Sequence, residues 1–313
     1  MVMNLNLSWA WGTDLRPDGG TWMCIYALIG VIGIFANLLV LVVFFRNLPG
    51  HRNVTAKFII HQSIIDLMSS VVFLPFYVIP EGWLIQNEQA GHVFCKGRAL
   101  FWILVTASTC NLVCITIERY YAIVHPIKHL VHFKNGKFYQ ASKRLVYVYG
   151  FLTFFHLFFV TQINEDYYCY YDWTETVEYL QLINGILVFF LTWLLPTSII
   201  FYVYTTIIFT LRKMHLVFSN SVGSVGYQRR YRAHKKLINT FIAVSAAYVV
   251  CWTPNMFLYL TYNVTSGNKP SNMEHGIAHR ITVFLSVSNM VVNPFIYAFK
   301  YRDFKKGLSK IFS

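Results

Sequence analysis

Residues Cys95–Pro126 read CKGRALFWILVTASTCNLVCITIERYYAIVHP. Between Arg98 and Glu118 the nineteen residues Ala99–Ile117 carry no charged side chain. At about 1.5 Å of rise per residue, a helix over that run reaches roughly 28 Å, close to the hydrocarbon thickness of a bilayer. Thr106, Ala107, Ser108, Thr109 and Asn111 interrupt the large apolar residues. Small and hydroxylated side chains suit a helix packed among other helices, where backbones approach closely and hydroxyls find partners. A cysteine opens the stretch and the adjacent residues Glu118 and Arg119 close it. The stretch predicts a membrane helix at the centre of a bundle.

The remainder of the 313-residue chain agrees. It is 56% hydrophobic and only 12% charged, where a soluble domain has about 25% charge. Working outward, Gly19–Phe45 and Phe58–Pro80 precede the opening helix, the second interrupted only by Asp66. Leu145–Asn164, Tyr179–Leu211, Leu237–Tyr262 and Ile281–Phe299 follow it. The closing segment YRDFKKGLSKIFS reads as a basic amphipathic helix lying on the membrane surface. The predicted fold is an all-α membrane protein, a seven-transmembrane helix bundle. Residues 1–18 form an outer terminus, 19–300 the bundle and 301–313 the surface helix. The first twenty residues are polar and lack the continuous apolar core of a secretory signal.

Lysine and arginine set the orientation. The segments joining spans one–two, three–four and five–six, together with the tail, hold 21 of the 26 basic residues and two acids, Glu118 and Asp303. The opposite face holds five basic residues and ten acids. The expected topology is a multi-pass plasma-membrane protein with its amino terminus extracellular and its carboxyl terminus cytoplasmic. A positive inner face accounts for the net charge of +13 without nucleic acid as a partner. Cys110, Cys114 and Cys251 lie inside apolar runs, so the six cysteines do not read as a secreted disulfide framework.

Polar groups inside spans are expensive and usually mark function. Asn37, Asp66, Asn289 and Asn293 are such groups, and Pro196, Pro254 and Pro294 fall inside spans five, six and seven. Three clusters among them are distinctive: Glu118-Arg119-Tyr120 after span three, Cys251-Trp252-Thr253-Pro254 in span six, and Asn293-Pro294-Phe295-Ile296-Tyr297 ending span seven. Together they resemble the rhodopsin-like (class A) G-protein-coupled receptors, with Gly33 four residues before Asn37, Asp66 in span two, and Pro196 eight residues before Tyr204. The resemblance covers Gly19 to Phe312. It implies a disulfide between Cys95 and Cys169, two cysteines placed in oxidising surroundings at the outer face.

It further implies a G-protein switch of Glu118, Arg119, Tyr120, Tyr204 and Tyr297. Arg119 would pair with Glu118 at rest and swing toward Tyr204 and Tyr297 on activation. The family's second acidic partner on helix six is missing, with His234 near that position, so measurable basal signalling is expected. An activation core would comprise Asn37, Pro196, Tyr248, Trp252, Pro254, Asn293 and Pro294. The resemblance also implies an allosteric sodium site at Asp66, Ser108, Asn289 and Asn293, oxygen-bearing groups suited to a hard cation; no other cofactor is expected. Four departures stand out. Tyr248 replaces a frequent phenylalanine, His61-Gln62-Ser63 replaces the family's Asn-Leu-Ala, and span four lacks the usual tryptophan and proline. Cys95 also lies 24 residues before Arg119, one fewer than usual in the family, which predicts an irregular upper end of helix three.

No lysine precedes Lys300 in span seven, where Val287 takes the position of the retinal-binding lysine of opsins; a retinal photoreceptor is excluded. Phe101 takes the position of the aspartate that amine receptors use, which argues against an amine ligand. By helical spacing Phe101, Trp102 and Val105 on span three face Trp252, Asn255, Met256 and Tyr259 on span six, with His279 and Val283 on span seven. Above them the acid- and aromatic-rich loop EDYYCYYDWTETVEY suits a basic or amidated peptide. The predicted function is a neuropeptide-type receptor activating a heterotrimeric G protein, with arrestin and receptor kinases as further candidate partners. The alternatives are a receptor for a small non-amine or lipid ligand and, more remotely, a transporter. No nucleophile–base constellation suggests an enzyme. Of the sequons, Asn6-Leu-Ser is outermost, Asn263-Val-Thr lies at a span end and Asn53-Val-Thr is cytoplasmic. Glycan mapping is expected to find Asn6 modified and Asn53 bare; glycan on Asn53 would reverse the orientation.

Overall fold

The computed structural model describes residues 19–47, 54–79, 87–133, 136–163, 169–173, 178–218, 224–264 and 277–312. Asn6, Asn53 and the loop acids Glu165, Asp166 and Glu175 lie outside the described residues. Seven helices are long and apolar enough to cross a membrane. Span one is Gly19–Asn47, and span two is Val54–Phe73 followed by a π-helical turn, Leu74–Val78. Spans three and four cover Glu88–Val124 and Lys137–Val160. Span five runs through Glu178–Phe189, the π-helical turn Phe190–Leu194 and Leu195–Phe218; spans six and seven are Ser224–Val264 and Ile277–Lys300. Several begin or end well outside the uncharged runs, at Lys137, Phe218 and Ser224. Charge marks where lipid ends, and these helices continue past it.

Span three is the centre. Its apolar stretch is 83% buried, against 61% or less in every other span. The predicted irregularity lies at Arg98, where Glu88–Gly97 ends and Ala99–Val124 begins. There Arg98 N–H bonds the Cys95 carbonyl at 3.3 Å and Phe101 N–H the Arg98 carbonyl at 3.2 Å. Such i→i+3 bonds rise about 2.0 Å per residue instead of 1.5 Å, so a tighter turn covers the same height with fewer residues. Arg98 is fixed in place. Its guanidinium lies 4.6 Å from the Tyr77 ring centroid, and Tyr77 Oη donates to the Arg98 carbonyl at 3.2 Å.

Outside the membrane the elements are short. Strands β1 (Thr161–Ile163) and β2 (Cys169–Tyr171) pair antiparallel, with Ile163 opposite Cys169. The helix Pro126–Phe133, after span three, packs Phe133 against Phe138, centroids 4.2 Å apart. The terminal helix Arg302–Phe312 buries Phe304, which together with Tyr301 meets Phe44 of span one at 6.2 Å. Lys305, Lys306 and Lys310 are exposed on this helix, as the amphipathic reading requires.

Span four, which lacks the family's usual tryptophan, packs on span three through Gly150. A Cβ added at Gly150 would collide with the Ile103 carbonyl and meet Ala107 N at 3.4 Å. The obstacle is backbone, which cannot rotate aside. Near its outer end the helix breaks at Phe155 and His156 without a proline, resuming at Leu157–Val160. Gly150→Leu is expected to cost more than the ~1–3 kcal/mol of ordinary overpacking, read as a lower unfolding midpoint of the purified protein. A midpoint equal to the parent's would contradict this packing.

Candidate functional site

Cys95 and Cys169 form the disulfide, with Cα atoms 5.4 Å apart. It fastens the top of span three to the β1–β2 hairpin.

Below the hairpin two cavities flank Trp102. The larger encloses roughly 560 Å³ of empty space, open solvent at its mouth included, and is lined by Phe154, His156, Leu157, Trp173, Val188, Met256, Tyr259, Tyr262 and Asn263 as well as Trp102. The smaller, between spans two, three, six and seven, touches Phe73, Tyr77, Phe101, Trp252, Val283, Ser286 and Val287. Trp102 belongs to both linings and meets Trp252 edge to face at 6.4 Å. Of the predicted pocket residues, Met256 and Tyr259 line the larger cavity and Phe101 and Val283 the smaller. Val105, Asn255 and His279 line neither. Val105 is buried a turn deeper than Trp102, whose ring takes the intervening space, and Asn255 is also fully buried.

Sequence spacing missed the wall made by span four and the hairpin. His156 there lies between Phe154 and Trp173, centroids 6.1 and 6.2 Å away. A histidine inside an apolar span is the same kind of signal as Asp66. Asn263 points inward and donates to the Tyr259 carbonyl at 2.8 Å, in space left by Gly185. A buried amide of this kind is no glycan acceptor. Asn184 donates to Tyr259 Oη at 3.3 Å.

Beneath the cavities the span prolines acquire a common logic. A proline has no N–H to give the carbonyl one turn earlier, and a membrane interior supplies no water in its place. Pro294 leaves the Met290 carbonyl, which Asn37 Nδ2 meets at 3.0 Å while also donating to the Gly33 carbonyl at 2.9 Å. Pro196 follows the π-helical turn. Of the two carbonyls it could have served, Leu191 accepts from Tyr149 Oη at 2.7 Å and Thr192 from Tyr248 Oη at 2.5 Å. Tyr248 is thereby explained: phenylalanine could not cap that carbonyl.

The polar centre brings Asp66, Ser108 and Asn293 together. Ser108 Oγ donates to Asp66 Oδ1 at 2.7 Å and Asn293 Nδ2 to Oδ2 at 3.0 Å. Asn289 is buried on the same helix but is not among the carboxylate's hydrogen-bond partners. The partner not foreseen is Gln62, whose Nε2 stands 3.2 Å from each Asp66 oxygen. Three hydrogens meet this carboxylate, and N–H groups face it where a cation would need oxygen lone pairs.

At the end of span three away from the disulfide, Arg119 Nε donates to Glu118 Oε2 at 2.5 Å, and its Nη2 donates to Glu118 Oε1 and to Thr55 Oγ1 of span two. His129 Nε2, from the helix Pro126–Phe133, contacts Glu118 Oε1 at 2.9 Å. Thr55 and His129 were not foreseen, since they belong to the pair through folding alone. Tyr120 turns away, toward His125 Nε2 at 3.3 Å. Thr116 Oγ1 donates to Tyr204 Oη at 3.4 Å, and Tyr297 is fully buried. Arg119 is held by Glu118, apart from both tyrosines, in the arrangement expected at rest.

Seven spans, an outer disulfide, a cavity between spans three to six and a paired arginine at the base define a membrane receptor of the rhodopsin type. The profile "7 transmembrane receptor (rhodopsin family)" matches residues 36–297, and the chain belongs to that family. Its relatives include neuropeptide Y receptor type 1 of Xenopus laevis, 24% identical over 92% of this chain and 79% of the relative. Galanin receptor 2b of Danio rerio is 25% identical over 96% and 77%, and the human histamine H2 receptor 26% over 83% and 71%. These relatives are receptors, and the chain is a receptor, not an enzyme.

Tyr248→Phe is expected to remove the buried bond from Tyr248 Oη to the Thr192 carbonyl, at about 1 kcal/mol. The purified variant should unfold at a lower temperature than the parent; an unchanged midpoint would show that the cap adds nothing.

Proposed function

We propose that this receptor, with its amino terminus outside the cell, binds a neuropeptide and activates a heterotrimeric G protein. The observation that carries the reading is the larger cavity. None of its described lining residues is Asp, Glu, Lys or Arg, and five are Trp, Phe or Tyr. Such a wall favours an uncharged aromatic end of a ligand over an ammonium group, as an amidated peptide terminus would provide. The acids in EDYYCYYDWTETVEY then draw basic residues of the same peptide to the mouth by their field. Two of the relatives are named for peptides, neuropeptide Y and galanin. The third is named for histamine, but Phe101 in this chain fills the position where amine receptors carry an aspartate.

On the inner side, release of Arg119 from Glu118 and Thr55 frees it for Tyr204 and Tyr297 as span six moves outward. The acids that hold such an arginine from span six elsewhere in the family are replaced here near His234, which is exposed. Glu118, Thr55 and His129 supply the resting restraint from spans two and three and the cytoplasmic helix.

The test is a neuropeptide library applied to cells expressing the receptor, read by a panel of Gα nucleotide-exchange reporters. A saturable response to a basic or amidated peptide, weakened by added salt and lost in Arg119→Ala, is the expected result, above a basal signal exceeding that of mock-transfected cells. Activation confined to anionic lipids with no salt dependence would overturn the peptide assignment. Exchange undiminished in Arg119→Ala would overturn the switch.

A further inference from the structure

The Asp66 carboxylate is 1% exposed. Its Oδ1 accepts from Ser108 Oγ at 2.7 Å and Gln62 Nε2 at 3.2 Å; its Oδ2 accepts from Asn293 Nδ2 at 3.0 Å and the same Gln62 nitrogen at 3.2 Å. A carboxylate offers about four lone-pair sites; the Ser108 proton meets Oδ1, an Asn293 N–H meets Oδ2, and one Gln62 N–H is shared between the two oxygens. Gln62 Nε2 also donates to Ser108 Oγ. That hydroxyl therefore gives its proton to Asp66 and a lone pair to Gln62.

Which end of the Gln62 amide faces Asp66 follows from partners that begin on the backbone. The Phe58 carbonyl can only accept, and Asn111 Nδ2 donates to it at 3.3 Å. The same nitrogen donates to Gln62 Oε1 at 2.8 Å. Asn111 Oδ1 lies 3.0 Å from His61 Nδ1, and His61 Nε2 lies 3.2 Å from Tyr147 Oη. The Nδ1–H tautomer of His61 satisfies both contacts. Reversing Gln62 would set its oxygen against the carboxylate and its NH₂ against that of Asn111. The amide nitrogen must face Asp66.

We propose that the Gln62 amide takes the place of a cation beside Asp66, so that this receptor neither needs nor senses sodium there. A hard cation binds through oxygen lone pairs. Here three hydrogens meet the carboxylate, one of them shared by both oxygens, and the Ser108 lone pair that faces Gln62 is taken. Asn293 Oδ1 has no hydrogen-bond partner, but it is the far end of an amide whose nitrogen faces Asp66. Two N–H groups of one glutamine thus do what the family's leucine at this position leaves to another species. His61, Asn111 and Tyr147 hold that glutamine from spans two, three and four.

The test uses the purified full-length receptor in nanodiscs, without agonist or G protein, so its outcome is independent of the proposed signalling. Thermal unfolding is compared in sodium chloride and choline chloride at equal ionic strength. The parent is expected to unfold at the same temperature in both. Gln62→Leu should gain a sodium-specific rise of roughly 3 °C, lost again in Gln62→Leu combined with Asp66→Asn. Gln62→Ala, which shortens the side chain without adding bulk, decides the case if the leucine variant does not fold. A sodium-specific rise in the parent would overturn the proposal. So would sodium indifference in every Gln62 variant that folds, because the glutamine would then not be what excludes the ion.

Discussion

Inside hydrocarbon, a backbone carbonyl without a donor has no water to turn to. Much of this receptor's polar architecture follows from that constraint. Pro196 and Pro294 each remove an N–H from a span, and each freed carbonyl is met by a side chain from another helix. Asn37 reaches from span one to the Met290 carbonyl, and Tyr149 and Tyr248 reach from spans four and six to Leu191 and Thr192. The prolines thus create contacts between helices as well as bends within them. Because the Tyr248 bond joins span six to span five, displacement of span six must either break it or carry span five along. That makes it part of the barrier between two packings of the bundle.

The buried charges serve a different purpose. Glu118 and Arg119 are 0% and 6% exposed, and a buried ion pair is weak grounds for stability because desolvation offsets much of the attraction. Its value here is discrimination. Thr55 and His129 add hydrogen bonds available only while Arg119 and Glu118 stay together, so the pair behaves as a joint that is made or broken as a unit. Asp66 sits in a separate network, three donors around one carboxylate. Polar groups packed this closely in a low-dielectric interior resist partial rearrangement.

The fold was legible from charge-free runs, because hydrocarbon imposes one simple rule on length and polarity. Cys95, Cys169, Asp66, Ser108, Asn293, Glu118 and Arg119 were legible through the family resemblance that the motifs around Arg119, Trp252 and Pro294 carry. Most of the residues that were not legible reach their targets across helices, where spacing along the chain says nothing about distance. Thr55 and Tyr149 are of this kind, and so are His156 and Trp173 at the cavity wall; Gln62 is not, since it stands four residues before Asp66 on the same helix, a spacing that places the two side chains on one face. Boundaries of spans four to six failed for another reason, since helical hydrogen bonding continues beyond the point where lipid requires apolar side chains. Gly150 escaped notice because it contributes by having no side chain, letting span four approach the backbone of span three.

The tight turn at Arg98 has a consequence for comparing this chain with any other. Deleting one residue from a regular helix rotates everything beyond it by about 100°, which would swing Phe101 and Trp102 off the cavity or pull Cys95 away from Cys169. The i→i+3 bonds at Arg98 take up that difference in a single turn. Two reading frames therefore meet within one span: positions below Arg98 are in phase with Arg119, and positions above it are in phase with the disulfide. An alignment anchored on Cys95 would shift every cavity residue of this helix by one and place Trp102 where Phe101 belongs. Anchored on Arg119, it assigns the cavity correctly and leaves the gap at Arg98, where the helix itself has placed it.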